Sequence, residues 1–90
     1  MEFQKEIRIF LEDRGVCYAE MVLREEKDTY NIVKTYVNER HRGQGLSGAL
    51  LSEAIRCAEK QEKKLKADCT FARKALEKRQ AEQGEVWNRF

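Results

Sequence analysis

From residue 36 to residue 50 the chain reads Tyr-Val-Asn-Glu-Arg-His-Arg-Gly-Gln-Gly-Leu-Ser-Gly-Ala-Leu, the end of a β run, a basic turn with a glycine pair, and the start of an amphipathic helix. Few arrangements accommodate that order. Glycine lets the backbone approach a ligand with no Cβ in the way, and the first turn of a helix leaves several N–H groups unpaired and pointing outward. The helix dipole adds partial positive charge at the same place, which favours phosphate. Arg40 and Arg42 add formal charge. The segment therefore predicts a strand–turn–helix unit whose turn cradles an anion. The plainer reading is that the glycines only let a helix pack tightly on a sheet.

Ninety residues suffice for one domain with a single modest core, here taken to span 1–90. Charged residues make up 38% of the chain, yet 18 basic and 16 acidic side chains leave a net charge of only +2. A general nucleic-acid binder carries a stronger imbalance or a one-sided basic stripe. No apolar run approaches the roughly 18–20 residues that span a bilayer, and Met-Glu-Phe-Gln-Lys does not read as a signal peptide. A cytoplasmic protein with no membrane partner is expected. Cys17, Cys57 and Cys69 are widely and irregularly spaced, and His41 is the single histidine. Neither a metal site nor a disulfide framework is predicted.

Glu6 to Leu11 alternates, placing Ile7, Ile9 and Leu11 on one face of a half-buried strand. Asp13-Arg14-Gly15 is hairpin chemistry. A second strand over residues 16–24 places Cys17, Ala19, Met21 and Leu23 on one side, and a third runs from Thr29 to Val37. After the glycine turn, Leu46, Ala49, Leu50, Ala54, Cys57 and Ala58 recur at helical spacing, with Leu51 and Ile55 widening the stripe. Leu65, Ala67 and Cys69 then alternate as a short fourth strand, parallel to the third across the helical crossover. A second helix is predicted from about Phe71 to Gln83, with Ala72, Ala75, Leu76 and Gln80 on one face and Gly84 as its C-terminal cap. The tail Glu85–Phe90 carries Val86, Trp87 and Phe90 and is expected to dock on the body or on a partner subunit. The predicted class is α+β in the order β-β-β-α-β-α: an antiparallel meander, one parallel crossover strand, and helices packed on the sheet.

A strand, Arg-Gly-Gln-Gly-Leu-Ser, a long helix and another strand together resemble the GNAT superfamily of acyl-CoA-dependent N-acyltransferases. The signature of that family is Gln/Arg-x-x-Gly-x-Gly/Ala, the turn that binds the pyrophosphate of coenzyme A. Two registers fit: Arg40 with Gly43 and Gly45, or Arg42 with Gly45 and Ser47. The second is preferred because the apolar stripe begins at Leu46, which puts the last motif position in the first helical turn. Ser47 then stands where Gly or Ala is usual. Ala-Asp-Cys-Thr-Phe-Ala-Arg (67–73) is similar to the Pro-x-Cys-x-aromatic-Ala segment of minimal, single-domain GNAT-like proteins, with Ala67 in place of proline. The helices that follow the first strand in larger members, and help shape their acceptor site, have no counterpart here.

The resemblance implies that the third and fourth strands splay and that the pantetheine arm of acetyl-CoA inserts between them. The cofactor-binding residues it implies are Val37 and Asn38 on the strand, then Arg42, Gly43, Gln44, Gly45, Leu46, Ser47 and Gly48 around the diphosphate. Backbone near Tyr36 would also pair with the arm. Arg40, Arg73 and Lys74 are further cations within reach of phosphate. Cys69 is implied near the thioester, either acylated in passing, assisted by the helix start that follows, or orienting attack by an amine. The same cysteine shares a face with Leu65 and Ala67, so simple packing is the competing reading. An imidazole is the ordinary choice of general base near neutrality, but His41 sits in the turn, where exposure is expected. Glu20 and Tyr36 are proton acceptors that no spacing selects.

Acetyl transfer to a small-molecule or protein amine by a monomer or weak homodimer is the expected function. A non-catalytic module or sensor that keeps coenzyme A is the alternative. A nucleic-acid-binding domain using Arg40, Arg42 and the lysines of residues 60–66 is disfavoured by the near-neutral charge and the lack of interleaved aromatics.

Overall fold

Alternating apolar and polar residues build a meander of three antiparallel strands, β1 (Lys5–Asp13), β2 (Val16–Glu25) and β3 (Thr29–Val37). Arg14 and Gly15 close the first hairpin with φ values of 53° and 78°. Two consecutive positive φ angles match the right-handed twist of the flanking strands. The chain then passes through a short 3-10 turn (Glu39–His41) into α1 (Leu46–Lys60), returns as β4 (Lys64–Ala67) and ends in α2 (Thr70–Gln83). The strands lie in the order β1-β2-β3-β4, with β4 parallel to β3. The computed structural model describes residues 3–83, with side chains up to Arg79. The expected place of Gln80, the Gly84 cap and the docking of the tail lie outside what is described.

One core joins the sheet to both helices. Ala19, Met21 and Leu23 from β2, Tyr30 and Ile32 from β3, and Leu65 from β4 meet the apolar stripe of α1 and then Ala72 and Leu76 of α2. Burying one such Leu or Ile contributes about 1.5–3 kcal/mol, so Leu50, Leu51 and Ile55 fix how α1 lies on the sheet. Arg79 ties the helices together, donating to Ser52 Oγ (2.8 Å) and to the Gly48 carbonyl (3.3 Å).

Two irregularities break the strand alternation. Leu11 pairs with Ala19 and Glu12 with Cys17, so Tyr18 is an extra residue in β2. An extra residue reverses which face the following side chains take. Cys17, expected beside Ala19, instead reaches Arg8 Nη2 (3.7 Å) on the opposite face. Leu11, expected inside, is 39% exposed, because it lies on the edge strand where the helices do not cover it. In the same way Val22 pairs with Lys34 and Leu23 with Ile32, leaving Val33 as an extra residue in β3. The fourth strand is shorter than its alternation suggests. It ends at Ala67, and Cys69 lies beyond it, immediately before α2.

Candidate functional site

The bulge at Val33 decides what faces the helices. Ile32 is buried in the core, whereas Lys34 pairs with Glu20 (3.6 Å) on the other side of the sheet. Thr35 and Val37 therefore return to the face that carries Ile32. At the same point β3 and β4 part. The parallel ladder ends at the Ile32–Ala67 pair, and the Asp68 and Cys69 N–H groups both converge on the Ile32 carbonyl (3.0 and 3.2 Å). Beyond it, β3 has no β4 partner among the described residues. Asn38 N–H points to the Tyr18 carbonyl in β2 (2.8 Å), so alternation turns the main-chain groups of Val37 and Thr35 toward the unpaired edge.

Asn38 also starts the turn. Its Oδ1 accepts from Arg40 N–H (2.9 Å) and its carbonyl from His41 N–H (2.9 Å), the usual service of an Asn side chain at a cap. The His41 ring rests on Tyr18, 4.3 Å between centroids. Gly43 (φ 84°) and Gly45 (φ 77°) then bend the chain into α1, with Gly45 as N-cap. Only glycine takes these angles without strain. The first helical bond runs from Ala49 N–H to the Gly45 carbonyl (3.1 Å). That leaves the N–H groups of Leu46, Ser47 and Gly48 outside the helix ladder. No side chain caps them, no acidic residue stands in this first turn, and a Cβ built on Gly43 or Gly45 meets nothing within 4 Å. The amides thus open onto free space in a positive field.

These elements enclose a cavity of about 600 Å³, a volume typical of small-molecule sites. Arg42, Gly43, Gly45, Leu46 and Ser47 form one wall, Thr35 and Val37 the floor, and His41 and Phe71 the remaining sides. Two polar atoms in this lining, Thr35 Oγ1 and His41 Nδ1, are buried without a hydrogen-bond partner.

The other sequence-selected residues stand elsewhere. Asn38, Gln44 and Gly48 flank the cavity in sequence but are not among its lining residues; the Gly48 carbonyl accepts from Arg79. Cys69 packs partly buried against the core where β3 and β4 part, and it too is absent from the lining. Arg73 Nε donates to the Ala67 carbonyl (3.0 Å), finishing β4. Glu20 and Tyr36 face each other across β2 and β3 on the far side of the sheet. A hydrogen bond from Arg8, opposed by partial burial and reinforced by the charges of Arg8 and Lys34, holds the Glu20 carboxyl below the usual carboxylate range. Two of the lysines of residues 60–66 are engaged as well: Lys63 Nζ donates to the Glu26 carbonyl (2.9 Å), and Lys66 of β4 pairs with Glu26 (3.1 Å). Thr35 and Phe71 were not singled out from the sequence. The aromatic two residues after Cys69 was the available signal for Phe71; none existed for Thr35 without the bulge. Among the described residues, no cluster of His, Cys, Asp and Glu could hold a metal ion, and no helix is long and apolar enough to cross a membrane.

The sequence profile described as GCN5-related N-acetyl-transferase matches residues 6–85. The chain belongs to this family. A GCN5-like structure from Staphylococcus aureus is similar, with 29% identity and a TM-score of 0.70 over 84% of this chain and 76% of that one. An acetyltransferase from Bacillus cereus has the same fold at 19% identity and a TM-score of 0.71; the present chain covers 56% of its length. An aminoglycoside N-acetyltransferase solved with CoA shares the fold at 13% identity, a TM-score of 0.61 and coverage of 92% and 70% of the two chains. No curated protein matches the chain. In this member of the family, both registers of the Arg-x-x-Gly motif lie in the turn that leads into α1, and Arg42, Gly43, Gly45, Leu46 and Ser47 of that turn line the cavity.

Proposed function

We propose that this chain binds acetyl-CoA in the cavity between β3 and α1 and transfers the acetyl group to an amine. The observation that carries the reading is the open amide cradle at Gly43–Ser47, continuous with a strand edge that has no partner. The donor set suits the coenzyme. Unpaired N–H groups and Arg42 match a diphosphate, and the free main-chain groups of Thr35 and Val37 match an extended amide-bearing arm. When bound, the coenzyme supplies an activated thioester whose acetyl group an attacking amine takes with release of the thiol. Val37 and Phe71 give the lining apolar surface that would keep water from the arm. Members of the family act as transferases with acyl-CoA donors, and the CoA complex of the related aminoglycoside N-acetyltransferase is consistent with the same donor here.

A second reading has its own support. Cys69 is absent from the cavity lining, Glu20 and Tyr36 are on the wrong face, and the lining holds no carboxylate and a single imidazole, that of His41. A module that holds acyl-CoA without efficient transfer fits those facts. Calorimetric titration with CoA and acetyl-CoA tests the shared element. Wild type should bind, and Gly45→Glu, which puts bulk and negative charge into the cradle, should not. Equal responses would remove the site from this turn. Release of free thiol with a panel of amines, together with intact mass after incubation with acetyl-CoA, then separates transferase from binder. An acetyl adduct on Cys69 that disappears on adding amine would place that cysteine in the transfer. No adduct and no thiol release would favour the binding module.

A further inference from the structure

Thr35 is held in a position that the fold alone does not explain. Its hydroxyl oxygen is buried and has no hydrogen-bond partner among the described residues. Its neighbour across β2 is Met21, which is 1% exposed and offers no strong acceptor. A buried hydroxyl without a partner costs stability, and valine would fill the same space without that cost. Only the extra residue at Val33 turns this side chain to the cavity face, where it lines the floor. Along β3 it lies between Ile32, where β4 departs, and Val37, which leads to the glycine turn. An extended molecule running from the cradle toward the strand junction passes over it.

Resting on the acyl-CoA reading above, we infer that the Thr35 hydroxyl donates a hydrogen bond to a carbonyl oxygen of the bound coenzyme, fixing the depth at which the arm sits. Two kinds of carbonyl are available. Amide carbonyls of the arm occur in both CoA and acetyl-CoA, whereas the thioester carbonyl occurs only in acetyl-CoA. Either would satisfy an oxygen that the protein leaves unpaired.

The test uses full-length Thr35→Val and Thr35→Ser, with thermal unfolding without ligand and calorimetric titration of CoA and acetyl-CoA. Thr35→Val is expected to unfold at the wild-type temperature or a few degrees higher, yet to bind about three- to tenfold more weakly. Thr35→Ser is expected to retain binding. Equal weakening toward both ligands assigns the bond to an arm amide; weakening toward acetyl-CoA alone assigns it to the thioester. Opposite movement of stability and affinity is what a merely structural threonine would not produce. If Thr35→Val binds both ligands like wild type, or loses thermal stability without ligand, the inference is overturned while the acyl-CoA reading stands. If wild type binds neither ligand, both fall.

Discussion

The imidazole of His41 lies against the phenol ring of Tyr18, 4.3 Å between centroids and tilted by 46°. Tyr18 is the extra residue of the β2 irregularity, and its carbonyl also accepts the Asn38 N–H. One residue of β2 therefore holds both ends of the turn that leads into the glycine cradle. A tilted ring pair of this kind is worth about 0.5–1.5 kcal/mol beyond its buried area. Tyr18→Ala should weaken CoA binding by about three- to tenfold, measured calorimetrically. Tyr18→Phe, which keeps the ring and loses only a long hydroxyl contact to Asp13 (3.4 Å), should bind like wild type. Loss of binding in the phenylalanine variant would show that the ring contact is not what positions the turn.

The glycines of the cradle divide by backbone angle. Gly45 has φ of 77°, and a Cβ there would touch nothing, so alanine pays only the left-handed conformational cost of about 1–2 kcal/mol. Gly48 lies in the first turn of α1 and has no such angle. Alanine there should instead stabilise by about 0.5–1 kcal/mol. Urea denaturation of the two variants without ligand should give shifts of opposite sign, and shifts of the same sign would contradict these backbone angles.

Much of this architecture was legible from local pattern. The third strand and the start of α1 stand where the β-branched and aromatic run, the glycine pair and the Leu46 stripe put them. What local pattern missed depends on pairing between distant residues. Nothing near Val33 announces a bulge; it exists because Leu23 and Val22 of β2 take Ile32 and Lys34 as partners. For the same reason Thr35 was passed over, and Cys17 was assigned to the wrong face. Leu11 continues the rhythm of Ile7 and Ile9 but lies on an edge that no helix covers, and alternation cannot report coverage. Cys69 kept the beat of Leu65 and Ala67 past the point where the Ile32 carbonyl ends the ladder.

Glu20 gives the outer face of the sheet a pH signature. Arg8 and Lys34 hold its carboxyl below the ordinary glutamate value of 4.5. A depressed folded-state pKa contributes stability that is fully present above the unfolded value and disappears as pH falls through the folded one. Wild type should therefore exceed Glu20→Gln in stability at neutral pH, with the gap closing on acidification below about 4.5 and narrowing in high salt. Urea midpoints at pH 7 and pH 3 measure it. A gap that does not shrink between pH 7 and pH 3 would mean that the glutamine variant fails for reasons of packing, not charge.

Deleting Val33 isolates the function of the bulge from that of the fold. Without it, the Leu23–Ile32 and Val22–Lys34 pairs become consecutive, and Ile32, Lys34 and Thr35 keep the faces they now have. The core should therefore survive, and the regular ladder should unfold cooperatively with stability no lower than that of wild type. A bulged strand bends and twists more strongly than a regular one. Here that bend coincides with the point where β3 leaves β4, so straightening β3 should close the gap against the Asp68–Cys69 segment. The expected result is a folded protein whose affinity for CoA falls at least about tenfold, because the free strand edge is lost while the Gly43–Ser47 cradle is retained. Circular dichroism and calorimetry on the same sample decide it. A folded deletion variant that binds CoA like wild type would mean that the cradle alone, and not the parting of the strands, holds the ligand.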